Sequence, residues 1–117
     1  MDFTREDTTI FNFFGRKQNS KPLMEALAEV KADPAIRLVD VRSRQEFASG
    51  HIPGAVNLPV DELQKAPTVL EDKAATVYLY CASGSRSGMA AGMLGRMGYD
   101  KCTNIGGIIS YAGQLER

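Results

Sequence analysis

Cys81 ends an apolar run, Val77-Tyr78-Leu79-Tyr80, and precedes four small residues, Ala82, Ser83, Gly84 and Ser85, and then Arg86. A chain with so little side chain can fold its backbone around a single atom. Gly84 and its small neighbours let successive N–H groups turn inward. Those donors, with the N-terminus of a following helix, favour an anion. That anion is either the Cys81 thiolate or a larger anion attached to it. A free cysteine titrates near about 8.5, so only a few per cent is thiolate at neutral pH. Lowering that value by about two units takes roughly 2.7 kcal/mol. A helix terminus supplies up to about 2 kcal/mol, and several N–H bonds to the anion supply the remainder. The competing reading is a buried, inert thiol.

Other candidate groups lie near the same place in the chain order. Asp40 and Arg42 flank the end of "LVDV" (38–41). In one reading Arg42 draws in an anionic substrate. In the other, Asp40 holds the loop through Arg86 or backbone N–H groups, and Arg42 pairs with Glu46 at i,i+4 spacing. Arg86 either binds the anion or braces the loop. Ser83, Ser85 and Ser87 either donate to the sulfur or cap the next helix. Cys102 occupies an apolar slot, which suits the core better than a resolving thiol. His51 invites comparison with a Cys–His pair. Met89, Met93 and Met97 recur every four residues, a helix packing face.

Positioning these groups requires a scaffold. Leu23, Leu27 and Val30 recur at helical spacing, which predicts an amphipathic helix over 20–32, ended by Asp33-Pro34. "IRLVDV" (36–41) predicts a buried strand, and "SRQE" (43–46) a capping box with Ser43 as N-cap and Glu46 three residues on. "AVNLP" (55–59) predicts a second strand, and 60–65 a helical turn. "TVYLYC" (76–81) is β-branched and aromatic, as buried parallel strands are. Residues 87–97 predict a helix, "KCTNI" (101–105) a strand, and Gly106-Gly107 a turn into a last helix to about Leu115. Alternating strands and helices imply an α/β fold, a parallel sheet with helices on both faces. In such sheets ligands bind beyond the carboxyl ends of the strands, where Cys81 lies.

The 117 residues suit one domain. With 14 basic and 14 acidic residues, net charge gives no argument for nucleic acid or for an anionic membrane surface. Two cysteines and one histidine form no disulfide framework and no zinc motif, so no metal is expected. No segment approaches the roughly 20 apolar residues of a membrane span, and the start lacks a secretory leader, so the expected location is cytoplasmic. Residues 1–19 stand apart as an extension that holds Phe3, Phe11, Phe13 and Phe14, ahead of a domain over 20–117. Ile10, Phe11 and Phe14 share one helical face, expected to cover the domain's own surface or to join two copies as a homodimer.

"LVDVRSRQEFASGHIPGAVNLP" (38–59) and "YCASGSRSGMAAGMLGRMGYDKCTNIGGI" (80–108) together resemble the rhodanese family of sulfurtransferases. The resemblance implies a three-layer α/β/α fold around a five-stranded parallel sheet. It implies that Cys81 takes sulfur as a persulfide from thiosulfate or another sulfane-sulfur donor. It further implies delivery to cyanide, a dithiol or a thioredoxin-like acceptor, with no cofactor. Ala82 to Arg86 match the family's cradle loop, and His51 matches a structural turn. The spacing Cys-x4-Arg resembles the sulfurtransferase form, whereas phosphatases and arsenate reductases of this fold carry one residue more. Ala82 replaces a cationic or long polar residue common in relatives, and Tyr111 stands where a tryptophan is common. The loss at Ala82 keeps a second expectation open, a sulfur-relay or regulatory module that works with a protein partner.

Overall fold

The computed structural model describes residues 19–117. The apolar face of Ile10, Phe11 and Phe14, and the dimer expected from it, lie outside the described residues. The order of elements is helix α1 (Leu23–Ala32), strand β1 (Arg37–Asp40), helix α2 (Arg44–Ser49) and strand β2 (Val56–Asn57). A 3-10 segment (Val60–Lys65) leads into the short helix α3 (Ala66–Val69). Strand β3 (Val77–Cys81), helix α4 (Ser85–Arg96), strand β4 (Cys102–Gly107) and a 3-10 turn (Ile108–Ser110) complete it.

The strands form one parallel sheet in the order β2-β1-β3-β4. β3 is central and every one of its residues is buried, which explains its continuous apolar run. Its side chains alternate between two cores. Val77, Leu79 and Cys81 face a cluster with Ala90 and Leu94 of α4. Tyr78 and Tyr80 face the opposite cluster, with Leu23 and Ala26 of α1. Cys81 is thereby assigned to the α4 side of the sheet.

Among the described residues the sheet has four strands, not the expected five. The segment before α1 reaches β4 through a single parallel bridge, Ser20 with Asn104. Lys21 N–H donates to Asn104 O at 3.1 Å and Asn104 N–H to Asn19 O at 2.9 Å. Helix α1 then begins at Leu23 with Pro22 as its N-cap, so the residue whose N–H would form the next rung is already helical and pairing stops there. The last helix is also shorter than expected. Only Ile108–Ser110 is helical. The tail instead pairs antiparallel with the turn at His51, each of His51 and Glu116 donating its N–H to the other's carbonyl at 2.8 Å. Gly113 disfavours a helix there, and the exchange with His51 satisfies the backbone groups in its place.

Candidate active site

The site is built where β3 meets α4. Gly84, at φ 110°, is the N-cap of α4, and this left-handed turn, open to glycine, takes the chain sharply out of the strand. The helix therefore starts at Ser85, two residues earlier than the sequence suggests. A helix N-terminus leaves N–H groups without intrahelical partners. Here two of them aim at the Cys81 sulfur: Gly84 N–H at 3.0 Å and Ser87 N–H at 3.4 Å. The Ser87 hydroxyl oxygen is also 3.4 Å from it. Burial pushes the Cys81 thiol up, but the hydrogen bonds from Ser87 and from the backbone of Gly84 and Ser83 outweigh it. The net effect holds the thiol below its ordinary value.

Cys81 is 0% exposed. The carbonyl of Ala82 accepts the Ile109 N–H at 3.3 Å, and Gly107 lies directly against Ala82 and Ser83. With the side chain fully buried, a reagent reaches the sulfur only when its surroundings move. Cys102 is the contrasting case. Burial, with Asp100 beside it, pushes that thiol up to about 11. Its strand partner is Val77, whereas that of Cys81 is Gly107, so the two thiols sit at opposite ends of the sheet. With iodoacetamide on native protein, Cys81 is expected to label with a pH midpoint below that of an ordinary thiol, and Cys102 to stay unlabelled until unfolding. Burial of the sulfur slows labelling at every pH without moving the midpoint. Peptide mapping that finds equal labelling of both cysteines would contradict this.

The structure gives the neighbouring charges only some of the partners the sequence suggests. Asp40 takes a backbone N–H but not Arg86, and Arg42 does not pair with Glu46. Asp40 instead accepts from Arg42 N–H at 2.8 Å and from Nη2 at 2.8 Å, with Nε at 3.0 Å. Arg42 Nη2 also donates to Gly50 O at 2.7 Å. The pair is buried, 0% and 6% exposed, and Asn57 Nδ2 ties down the carbonyls of Asp40 and Arg42. Arg86 pairs with Glu46, with bonds of 2.8 and 3.1 Å. Glu46 also completes the capping box of α2 with Ser43, as the sequence suggests. The Arg86 guanidinium and the Ser43 N–H hold the Glu46 carboxyl down to about 2. This clamp therefore stays intact as pH falls through the ordinary carboxylate range and is lost only near that value.

Removing one partner of a buried ion pair leaves an uncompensated charge, at a cost of about 3–5 kcal/mol. Asp40→Asn is accordingly expected to lower the unfolding free energy by that amount, read from the denaturant midpoint shift multiplied by m. A change under about 1 kcal/mol would mean that the Arg42 charge finds other compensation.

His51 stands apart from the sulfur. Its ring stacks on Phe47 at 3.7 Å, Nδ1 is 2.9 Å from Phe47 O, and Nε2 faces Glu116. Among the described residues no group of three or more His, Cys, Asp or Glu could hold a metal ion, and no helix is long and apolar enough to cross a membrane. Asn104 and Gly107 are site residues that the motif reading passes over. The available signal is an asparagine inside a strand, which fits a strand poorly without a specific partner.

A family model described as Rhodanese-like domain matches residues 23–113. Human thiosulfate:glutathione sulfurtransferase is 34% identical over 106 residues, covering 78% of this chain and 89% of that protein. The putative sulfur carrier protein YrkF of Bacillus subtilis is 34% identical over 89 residues, 75% of this chain but only 48% of that protein. A solved structure described as rhodanese with anions from E. coli superposes with a TM-score of 0.66 at 34% identity, covering 71% of this chain and 99% of that one.

Proposed function

The chain belongs to the rhodanese-like family, and from that premise we propose that it is a sulfurtransferase that carries sulfane sulfur on Cys81 as a persulfide. The observation that carries this reading is the pair of α4 N–H groups converging on one sulfur atom, Gly84 at 3.0 Å and Ser87 at 3.4 Å. Donors fixed before the reaction stabilise charge that appears during it, at no cost of reorientation.

With thiosulfate as donor, the Cys81 thiolate attacks the outer sulfur. A bond between the two sulfurs forms from the thiolate pair, and the old sulfur–sulfur bond breaks with its pair leaving on sulfite. One negative charge stays on the new terminal sulfur. Sulfite is already a good leaving group, so no acid is required. A thiophilic acceptor then attacks that terminal sulfur, and the Cys81 thiolate departs. Cyanide becomes thiocyanate, and a thiolate becomes a persulfide. Ala82 to Ser85 contribute backbone and lack of bulk, Arg86 braces the loop through Glu46, and Asp40 with Arg42 braces the end of β1. Thiosulfate as donor and a thiol as acceptor are also what the name of the human relative states.

A second reading has its own support. Arg42 and Arg86 are both engaged by carboxylates, and position 82 is alanine. Neither arginine is then free to recruit a small dianion, which suits a relay module that takes sulfur from a protein partner. YrkF is described as a sulfur carrier. Intact mass decides between the two readings. Thiosulfate alone should make the protein one sulfur atom heavier, and cyanide should remove that mass. Loading only by a persulfidated protein would favour the relay, and loading by neither would sink the persulfide reading.

A further inference from the structure

The geometry points to Asn104 as a positioning residue that holds the Ser87 hydroxyl proton away from the Cys81 sulfur while it locks the cradle loop to β4. Asn104 makes three side-chain contacts at this place. Nδ2 donates to Gly84 O at 3.0 Å, and Oδ1 accepts Gly106 N–H at 3.0 Å. Oδ1 also lies 2.7 Å from the Ser87 hydroxyl oxygen. The orientation of the amide is forced. Gly106 N–H can only donate and Gly84 O can only accept, so a flipped amide would break both contacts.

A hydroxyl has one proton. Around the fully buried Ser87, four acceptors compete for it: Asn104 Oδ1 at 2.7 Å, Gly84 O at 3.2 Å, and Cys81 Sγ and Gly106 O at 3.4 Å each. Oδ1 is the shortest, and an amide oxygen is a better acceptor than a neutral thiol. Two oxygens this close would repel without a proton between them. The proton therefore rests on the bond to Asn104, and Ser87 turns a lone pair toward the thiol. For the hydroxyl to serve a thiolate, its bond to Asn104 must break first. Asn104 thus weakens, without removing, the Ser87 hydroxyl as one of the groups that favour the Cys81 thiolate: the hydroxyl reaches the sulfur only by giving up its shorter bond to Asn104.

This inference rests on Cys81 being the reacting thiol, but its test does not require sulfur transfer. The charged groups around the thiol are Arg86 of α4 with Glu46 of α2, and Asp40 with Arg42 at the end of β1. None is altered in the variants. The test is the pH midpoint of Cys81 alkylation by iodoacetamide in full-length protein, Asn104→Ala, Ser87→Ala and the double variant. Asn104→Ala should lower the midpoint by about half a pH unit, the scale of one neutral hydrogen bond. Ser87→Ala on that background should cancel the shift, while in the native background it should move the midpoint less. A purely structural asparagine would predict a raised midpoint, from a loosened ring of N–H groups, and no dependence on Ser87; that result would overturn the inference. Should Asn104→Ala not fold, Ser87→Ala alone decides. A rise of about a full unit would show that the hydroxyl already serves the thiolate, against the inference, whereas a shift within about 0.3 would support it.

Discussion

Replacing Cys81 with alanine is expected to abolish sulfur transfer and leave a folded protein. The side chain supplies the only atom on which the proposed route can carry sulfur. Its removal leaves the Gly84 and Ser87 N–H groups without their acceptor and a small gap under α4. Together these cost about 1–3 kcal/mol, which a domain with two cores on one central strand tolerates. The matching control is Cys102→Ser. Cys102 pairs with Val77 and Cys81 with Gly107, four residues farther along β3. At about 3.3 Å per residue they stand roughly 13 Å apart along the sheet, too far for a disulfide without unfolding the strand. Cys102→Ser should therefore keep most of the transfer, while a buried hydroxyl lowers stability by about 1–3 kcal/mol. The measurement is the thiosulfate:cyanide rate beside a denaturation curve for each variant. A folded Cys102→Ser protein as inactive as Cys81→Ala would end the single-thiol mechanism.

What the sequence shows and what it hides divide along a physical line. The capping box at Ser43 and Glu46 is legible because its signal is local, two residues three apart. The place of Cys81 at a strand end is legible because five successive apolar or aromatic residues stop at a glycine-containing stretch. The ion pairs are not legible. Asp40, Arg42, Glu46 and Arg86 can be paired in more than one way, and only the packing of α2 beside the loop decides that Arg86 reaches Glu46. The tail departs from its local pattern for a similar reason. Residues 108–115 carry a weak helical pattern, but the backbone of Glu116 finds better partners at His51, 65 positions earlier in the chain. Among the described residues the expected fifth strand is reduced to one bridge because α1 begins at Leu23, three residues past Ser20, and that this segment lies beside β4 appears only in the folded chain. Asn104 leaves no spacing signal because its partners, Gly84, Ser87 and Gly106, are brought together only by the closed cradle.

Gly107→Ala is expected to harm the chemistry more than any other single methyl added near the site. The backbone of Gly107, at φ -130° and ψ 152°, is ordinary extended chain that alanine adopts freely. The obstacle is space. A Cβ at this position would lie 2.2 Å from the Ala82 carbonyl oxygen and 2.5 Å from the Ser83 Cα. Those are backbone atoms of the cradle, and no rotamer change moves them. Loop and strand must separate, which takes the Ile109 N–H away from Ala82 O and strains the Asn104 link to Gly84. Forced overpacking of this kind costs about 1–3 kcal/mol, and here it falls on the geometry of the N–H ring. If that cost appears in the transition state, sulfur loading slows by about tenfold to a hundredfold. Gly106→Ala separates strain from collision. Gly106 sits at φ 97° and its added Cβ would meet nothing within 4 Å. That variant should lose about 1–2 kcal/mol of stability and keep more of its loading rate. The rates come from intact mass against time in thiosulfate, with melting curves alongside. A Gly107→Ala protein that loads as fast as the native chain would mean that the cradle can sit farther from β4 and still hold its sulfur, and the close fit of Gly107 against Ala82 would then serve folding alone.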